Sequence, residues 1–260
     1  MRMLSLVGRR AAFVAALLLV WEAATGGFGL PAVVNPIIVA RPSAAFAEMA
    51  RYWDSGLLAK DLLTTLQAAT VGLVLGIAGG VAFGLLLGYV RPIAETVEPV
   101  LVAFNSLPRI ALAPVLVIAF GLGIASKIFL ALFTVFFVIF FNTYLGIRSV
   151  DPELVKAVRV MGGTRWHLAR YVVLPSVFSW IFAALRTSVS FALSGAVVGE
   201  FVGSTSGLGY RMVISAGLLD TNRTYAILLL LMAIAVTLVE LAKRAEDRLL
   251  RWRPAALLAA

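Results

Sequence analysis

Apolar runs long enough to cross a bilayer recur along this chain, and no other feature constrains its fold as tightly. From residue 62 to residue 89 there is no charged side chain, and about 20 apolar residues suffice for a helix to span the hydrocarbon. Within a membrane every backbone N–H and C=O must be bonded internally, so only helices and closed barrels can span it. Barrels need short alternating strands, whereas these runs are continuous. The 260 residues are 62% hydrophobic with a mean hydropathy of +1.00, and 13% are charged, about half the share usual in soluble domains. The expectation is an all-α polytopic membrane protein, with residues 1–260 forming one transmembrane domain.

Six spans are expected, over residues 11–30, 62–89, 97–122, 126–147, 176–202 and 225–243. Arg9-Arg10 followed by AAFVAALLLVW resembles a secretory signal peptide. We read it as a retained first span, because its removal leaves an odd number. With the N-terminus inside, one face of the membrane carries Arg2, Arg9, Arg10, Arg91, the basic residues of 148–170 and the basic tail from Lys243 to Arg253. The other face holds fewer: Arg41, Arg51, Lys60, Lys127, Arg211 and Arg223. The positive-inside rule therefore predicts both termini in the cytoplasm. Outside, residues 31–61 begin as extended chain through Pro31, Pro36 and Pro42, and PSAAFAEMARYW reads as a short amphipathic surface helix. The tail is expected to stay helical to about residue 252.

The chain has no cysteine and a single histidine, His167. Disulfides, thiolate metal sites, cysteine nucleophiles and multi-histidine haem or metal sites are thereby excluded. No paired carboxylates or nucleophile–base pair stands within the spans, so no catalytic residue is assigned. The net charge of +9 is accounted for by its distribution at the membrane faces, and nucleic acid is not an expected partner.

Three elements inside the spans carry mechanism. Gly72, Gly76, Gly80, Gly84 and Gly88 fall four apart and share one helix face, where small residues let another helix approach closely. That face serves either static packing or a rocking surface, and both require tight contact with a neighbour. In the third span Pro108 and Pro114 flank Arg109, so the helix is expected to be kinked or broken. Arg109 either faces a solute path or snorkels to the surface, with Asn105 and Ser106 as weak additional polar contacts. The fifth span carries Ser190, Ser194 and Glu200. Most Ser and Thr there can bond their own helix carbonyls. Glu200 is expected to pair with Arg211 or with a charge on a symmetry mate, or to serve gating or a proton path.

Residues 151–175, DPELVKAVRVMGGTRWHLARYVVLP, form a basic amphipathic segment between two apolar runs. Asp151 can cap a helix with Pro152 in its first turn and Glu153 at its positive end. Gly162-Gly163 should end that helix near Met161, and Thr164 can cap a second. The exposed Val160, Met161 and Trp166 can fill a partner's pocket, or the helix can rest on anionic lipid.

At these residues the chain resembles the integral-membrane permease subunits of binding-protein-dependent bacterial ABC importers. That family's loop signature is E-A-A, three residues, G, nine residues, I/V, one residue, L-P. Here Lys156, Ala157 and Val158 stand at E-A-A, Gly162 at the glycine, and Val172 with Leu174-Pro175 at the end. Lys156 and Val158 depart from the pattern. WEAA at 21–24, PSAAF at 42–46, LPRIALAPVLVIAFGLGIASK at 107–127 and GEFVGSTSGLGY at 199–210 resemble the nitrate/sulfonate/taurine branch.

The resemblance implies a type I importer permease of six transmembrane helices in the bacterial cytoplasmic membrane, paired with a second copy around a central pathway. Two ATPase subunits would bind the 148–175 loop as a coupling helix, through Lys156, Ala157, Val160, Met161, Gly162, Gly163, Trp166, Leu174 and Pro175. A solute-binding protein would dock outside. ATP and magnesium belong to the ATPase, since no GxxxxGK[ST] occurs here. Asn105, Arg109, Ser190, Ser194 and Glu200 are the path candidates, and a small sulfonate, taurine or nitrate-like anion is the expected solute. A neutral pyrimidine precursor or aromatic acid is the alternative within the same family. An ion-coupled secondary transporter would need more ionisable residues in mid-span than Arg186 and Glu200 supply.

Overall fold

The computed structural model describes residues 2–249, and every regular element among them is helical. In chain order these are α1 (Arg2–Ala24), α2 (Pro42–Asp54), α3 (Leu57–Tyr89), α4 (Arg91–Asn105), α5 (Arg109–Phe120) and α6 (Ile124–Arg148). They are followed by α7 (Pro152–Val160), α8 (Arg165–Leu168), α9 (Leu174–Val202), α10 (Leu208–Gly217) and α11 (Thr221–Leu249). Four of the runs are long and apolar enough to cross a membrane: α3, α6, the stretch Arg165–Val202 and α11. α4 and α5 make a fifth when joined, and α1 adds a shorter apolar stretch, Ala11–Ala24.

The stripe of glycines organises the centre. A Cβ on Gly72, Gly76, Gly80 or Gly84 would stand 2.5–2.9 Å from the Cβ of Ala131, Val135, Ile139 or Thr143 in turn. It would also stand 2.9–3.0 Å from the carbonyl oxygens of Ile128, Leu132, Phe136 or Phe140. Gly88 meets Ile147 in the same way. Both partners advance by four residues in the same sense, so α3 and α6 are parallel neighbours at backbone contact. Two parallel spans require the chain between them to cross back, which is the task of α4 and α5. α9 packs against both α6 and α3, with Gly195 abutting the Ala131 backbone and Gly199 abutting Lys127.

Several expected boundaries are corrected. The first span ends at Ala24 rather than residue 30, because Gly26 turns the chain at φ +84° and Gly27–Gly29 form a 3-10 turn. The third span, expected over 97–122 and kinked or broken at its prolines, is broken as expected but runs from Arg91 to Phe120. It is two helices meeting at 95°, with the break at Ser106–Pro108, while Pro114 is carried inside α5 without ending it. The fifth span starts earlier than 176, since helical structure is continuous from Arg165 to Val202. The sixth extends beyond both edges of 225–243, and the tail residues from 250 on lie outside the described residues. The amphipathic surface helix is found as α2, with Pro42 at its start.

Candidate functional site

The segment between α6 and α9 is built by four local signals. Asp151 caps α7, its Oδ1 accepting from the Glu153 N–H at 2.8 Å. At the other end Gly162 N–H donates to Arg159 O (3.0 Å) and Gly163 N–H to Val158 O (2.8 Å), the paired bonds of a Schellman motif. Gly162 holds φ +74°, a conformation costly for any residue with a Cβ. Gly163 is required for a different reason, since a Cβ there would stand 2.5 Å from Val158 Cγ1. Thr164 then caps α8 in a reciprocal capping box with His167. Beyond it residues Ala169–Val173 form a π-turn, with Leu174 N–H reaching back to Ala169 O. The widened turn ends two residues before Pro175, whose ring would collide with the Tyr171 carbonyl in a regular α-turn.

The outcome is a stiff surface hairpin with no buried residue in α7. Val160 is 87% exposed, Met161 77% and Trp166 65%, so the three predicted contact residues do face outward. Ala157 and Lys156 are exposed beside them. Lys156 Nζ donates to Glu153 Oε1 at 2.8 Å, which keeps a carboxylate one turn from the position where the signature has Glu. Leu174 and Pro175 are half-buried at the join and, with Arg170, Tyr171 and Phe178, line an open groove.

The path candidates divide. Arg109, at the start of α5, lays its guanidinium 4.8 Å from the centre of the Phe191 ring. Both line a cavity of about 200 Å³ together with Ile110, Leu130, Thr134, Ser194, Gly195 and Val198. Thr134 lies about midway along α6, so the guanidinium stands beside the middle of that helix and not at its end. Among the described residues Arg109 forms no ion pair. Asn105 and Ser190 do not line this cavity. Glu200 is also elsewhere, 1% exposed.

Residues 80–252 match the family of binding-protein-dependent transport system inner membrane components. The chain belongs to this family. It is a permease subunit of an ABC importer, a multi-pass protein of the inner membrane. It is 36% identical over 241 residues to the riboflavin transport system permease protein of Chloroflexus aurantiacus, covering 91% of this chain and 87% of the relative. To the putative aliphatic sulfonates transport permease protein of Bacillus subtilis it is 29% identical over 240 residues, covering 92% and 85%. Among solved structures, an inward-facing methionine ABC transporter, MetNI, is similar with a TM-score of 0.61 at 25% identity, over 75% of this chain and 95% of that one.

In the permease Glu200 does not pair with Arg211, one of the two partners expected from sequence. α10 begins at Leu208, so its positive N-terminal end lies at the carboxylate, where the helix dipole favours negative charge. Gly209 N–H donates to Glu200 Oε2 (2.7 Å) and Thr65 Oγ1 donates to Oε1 (2.8 Å). Arg211, farther along α10, is left to reach Asp61 Oδ2 at 2.9 Å. Asp61 is 0% exposed and also accepts from Gly207 N–H (2.8 Å) and Tyr52 Oη (2.5 Å). Burial first, and the bonded Asp61 carboxylate second, push the Tyr52 phenol above its usual range. This bracket ties α2, α3, α9 and α10 of the permease together. Sequence reasoning missed Asp61 and Tyr52, and placed the buried Lys127 among surface charges. Lys127 Nζ bonds the carbonyls of Leu122 and Gly123. The available signal was the pairing of Asp61 with a second unmatched charge, Arg211, at the edges of apolar runs.

Proposed function

We propose that this permease pairs with a second copy and moves a small solute carrying an anionic group between them, with both termini in the cytoplasm. Two ATPase subunits, holding ATP and magnesium, grip the α7–α8 hairpin, and a solute-binding protein delivers the solute from outside. The observation that carries this reading is the hairpin itself. It exposes Val160, Met161 and Trp166 on a backbone fixed by two caps and a Schellman turn. ATP-driven closure of the ATPases can bias the permease only through contacts that differ between its states, and this hairpin leads directly into the fifth span.

The test is Gly162→Val. Valine at φ +74° costs about 1–2 kcal/mol and meets no neighbour within the chain, so the variant should insert and pair normally. It is expected to lose co-purification with the ATPase and solute-stimulated ATP hydrolysis. Equal ATPase recovery from variant and wild type would sink the coupling assignment.

For the solute, the supporting features are the unpaired guanidinium of Arg109 beside mid-α6 and the resemblance to an aliphatic-sulfonate permease. Arg109→Gln should lower anion uptake by about tenfold, the worth of one hydrogen bond to a charged group, with ATPase docking unchanged. Unaltered uptake in proteoliposomes would refute the role. A planar heterocycle is the second reading, favoured by the Arg109–Phe191 stack and the similarity to a riboflavin permease. It predicts that Phe191→Ala, more than Arg109→Gln, reduces uptake.

A further inference from the structure

The cavity beside Arg109 is lined by donors and apolar walls and by no carboxylate. Ile110, Leu130 and Val198 supply the walls, and the polar groups are the Arg109 guanidinium and the hydroxyls of Thr134 and Ser194. Thr134 is already engaged, since Oγ1 donates to Ala131 O at 2.7 Å with Phe191 O at 3.1 Å. Ser194 is exposed. Among the described residues its hydroxyl forms no hydrogen bond, unlike that of Ser188, which donates to Ala184 O at 2.9 Å. A guanidinium offers five N–H donors and no acceptor. A solute in this cavity therefore meets one free cation and one free hydroxyl.

The lack of acid extends along the helices that build the cavity. The chain has 13 Asp and Glu, yet α5 and α6 carry none and α9 carries only Glu200. Glu200 is buried and bonded to Thr65 and Gly209. Arg186, the one basic residue of α9, is tied to Glu246 at 3.0 Å, so Arg109 sets the sign of the field. A second copy that presents the same three helices doubles the guanidinium and adds no acid. An ammonium group here loses its water without gaining a counter-ion, and it faces a like charge as well.

We propose that this passage is a charge filter. It admits solutes whose only charge is an oxoanion and rejects any that carries an ammonium group, aminosulfonates and amino acids included. The filter rests on the reading of the Arg109 cavity as part of the solute path. Of the expected solutes it keeps simple sulfonates and nitrate-like ions and removes taurine, whose ammonium finds no carboxylate.

The chain has no cysteine, so Ser194→Cys places a single thiol in the cavity. The full-length permease, with its ATPase, is placed in lipid nanodiscs, where both membrane faces are open to reagent. Three methanethiosulfonates are compared, bearing a sulfonate, a trimethylammonium, or the ammonium–carboxylate pair of an amino acid. Each labelling rate, followed by the intact mass of the permease, is divided by the reagent's rate with free 2-mercaptoethanol. Gating affects all three alike and cancels from their ratios.

The sulfonate reagent should be favoured about tenfold over each of the other two, because the guanidinium attracts one sign and repels the other. Arg109→Gln in the same background should bring the ratios close to one. Equal normalised rates for the sulfonate and either ammonium reagent overturn the filter while leaving the path reading intact. A preference that survives Arg109→Gln overturns Arg109 as its source. Failure of all three reagents to label Ser194→Cys means that water does not reach the cavity, which overturns the path reading and the filter together.

Discussion

Replacing Asp61 with alanine should destabilise the permease by about 3–5 kcal/mol, the usual cost of stripping one partner from a buried ion pair. The loss has three parts. Arg211 keeps its charge with no carboxylate to meet it, the Gly207 N–H loses its acceptor, and the Tyr52 hydroxyl is left facing an apolar gap. Heat denaturation in detergent should show a midpoint lowered by roughly 10 °C. Asp61→Leu combined with Arg211→Met should recover part of the loss, because an apolar pair of similar volume often matches a buried ion pair. Recovery should be incomplete, as the Gly207 amide remains unmatched. If Asp61→Ala melts with the wild type, the bracket does not hold α10 in place.

The second large effect is expected from Gly80→Leu. Its Cβ would fall 2.9 Å from Ile139 Cβ and from the Phe136 carbonyl oxygen, and a backbone atom cannot swing aside as a side chain does. α3 and α6 must then separate along their whole contact, at a cost of about 3 kcal/mol or more. Gly79→Leu is the matched control. One residue away, its Cβ would meet only the Phe136 ring, at 3.4 Å. Gly80→Leu should fail to accumulate as a monodisperse protein in size-exclusion chromatography, and Gly79→Leu should resemble wild type. Equal behaviour of the two would mean that the stripe is not a packing surface.

These contrasts show what was readable in advance. The glycine face was legible because a spacing of four has one meaning on a helix, and Gly162 because a double glycine after a capped amphipathic helix ends it. The bend was expected at Pro108 or Pro114, but which of them would break the helix, and by what angle, was not legible. Pro99, Pro108 and Pro114 each remove a backbone donor, and the chain breaks only at Pro108, where the preceding Asn-Ser-Leu can satisfy the turn. Asp61 stayed hidden for a related reason. A lone acid at the edge of an apolar run looks the same whether it faces water or an arginine brought in by a helix 150 residues later. Arg109 was recognised as unusual, but its contact with Phe191 depends on the 95° bend that sequence spacing does not report.

The unbroken helical run from Arg165 to Val202 contains 38 residues and is about 57 Å long at 1.5 Å per residue. A rod of that length amplifies small rotations. A tilt of about 5° imposed at Arg165 displaces the far end by about 5 Å, close to one helical turn. Glu200 lies two residues from that end and is clamped to α10 through Gly209. Angular play at one membrane face therefore becomes translation of a whole helix terminus at the other, with the π-turn before Pro175 as the place where the rod can flex instead.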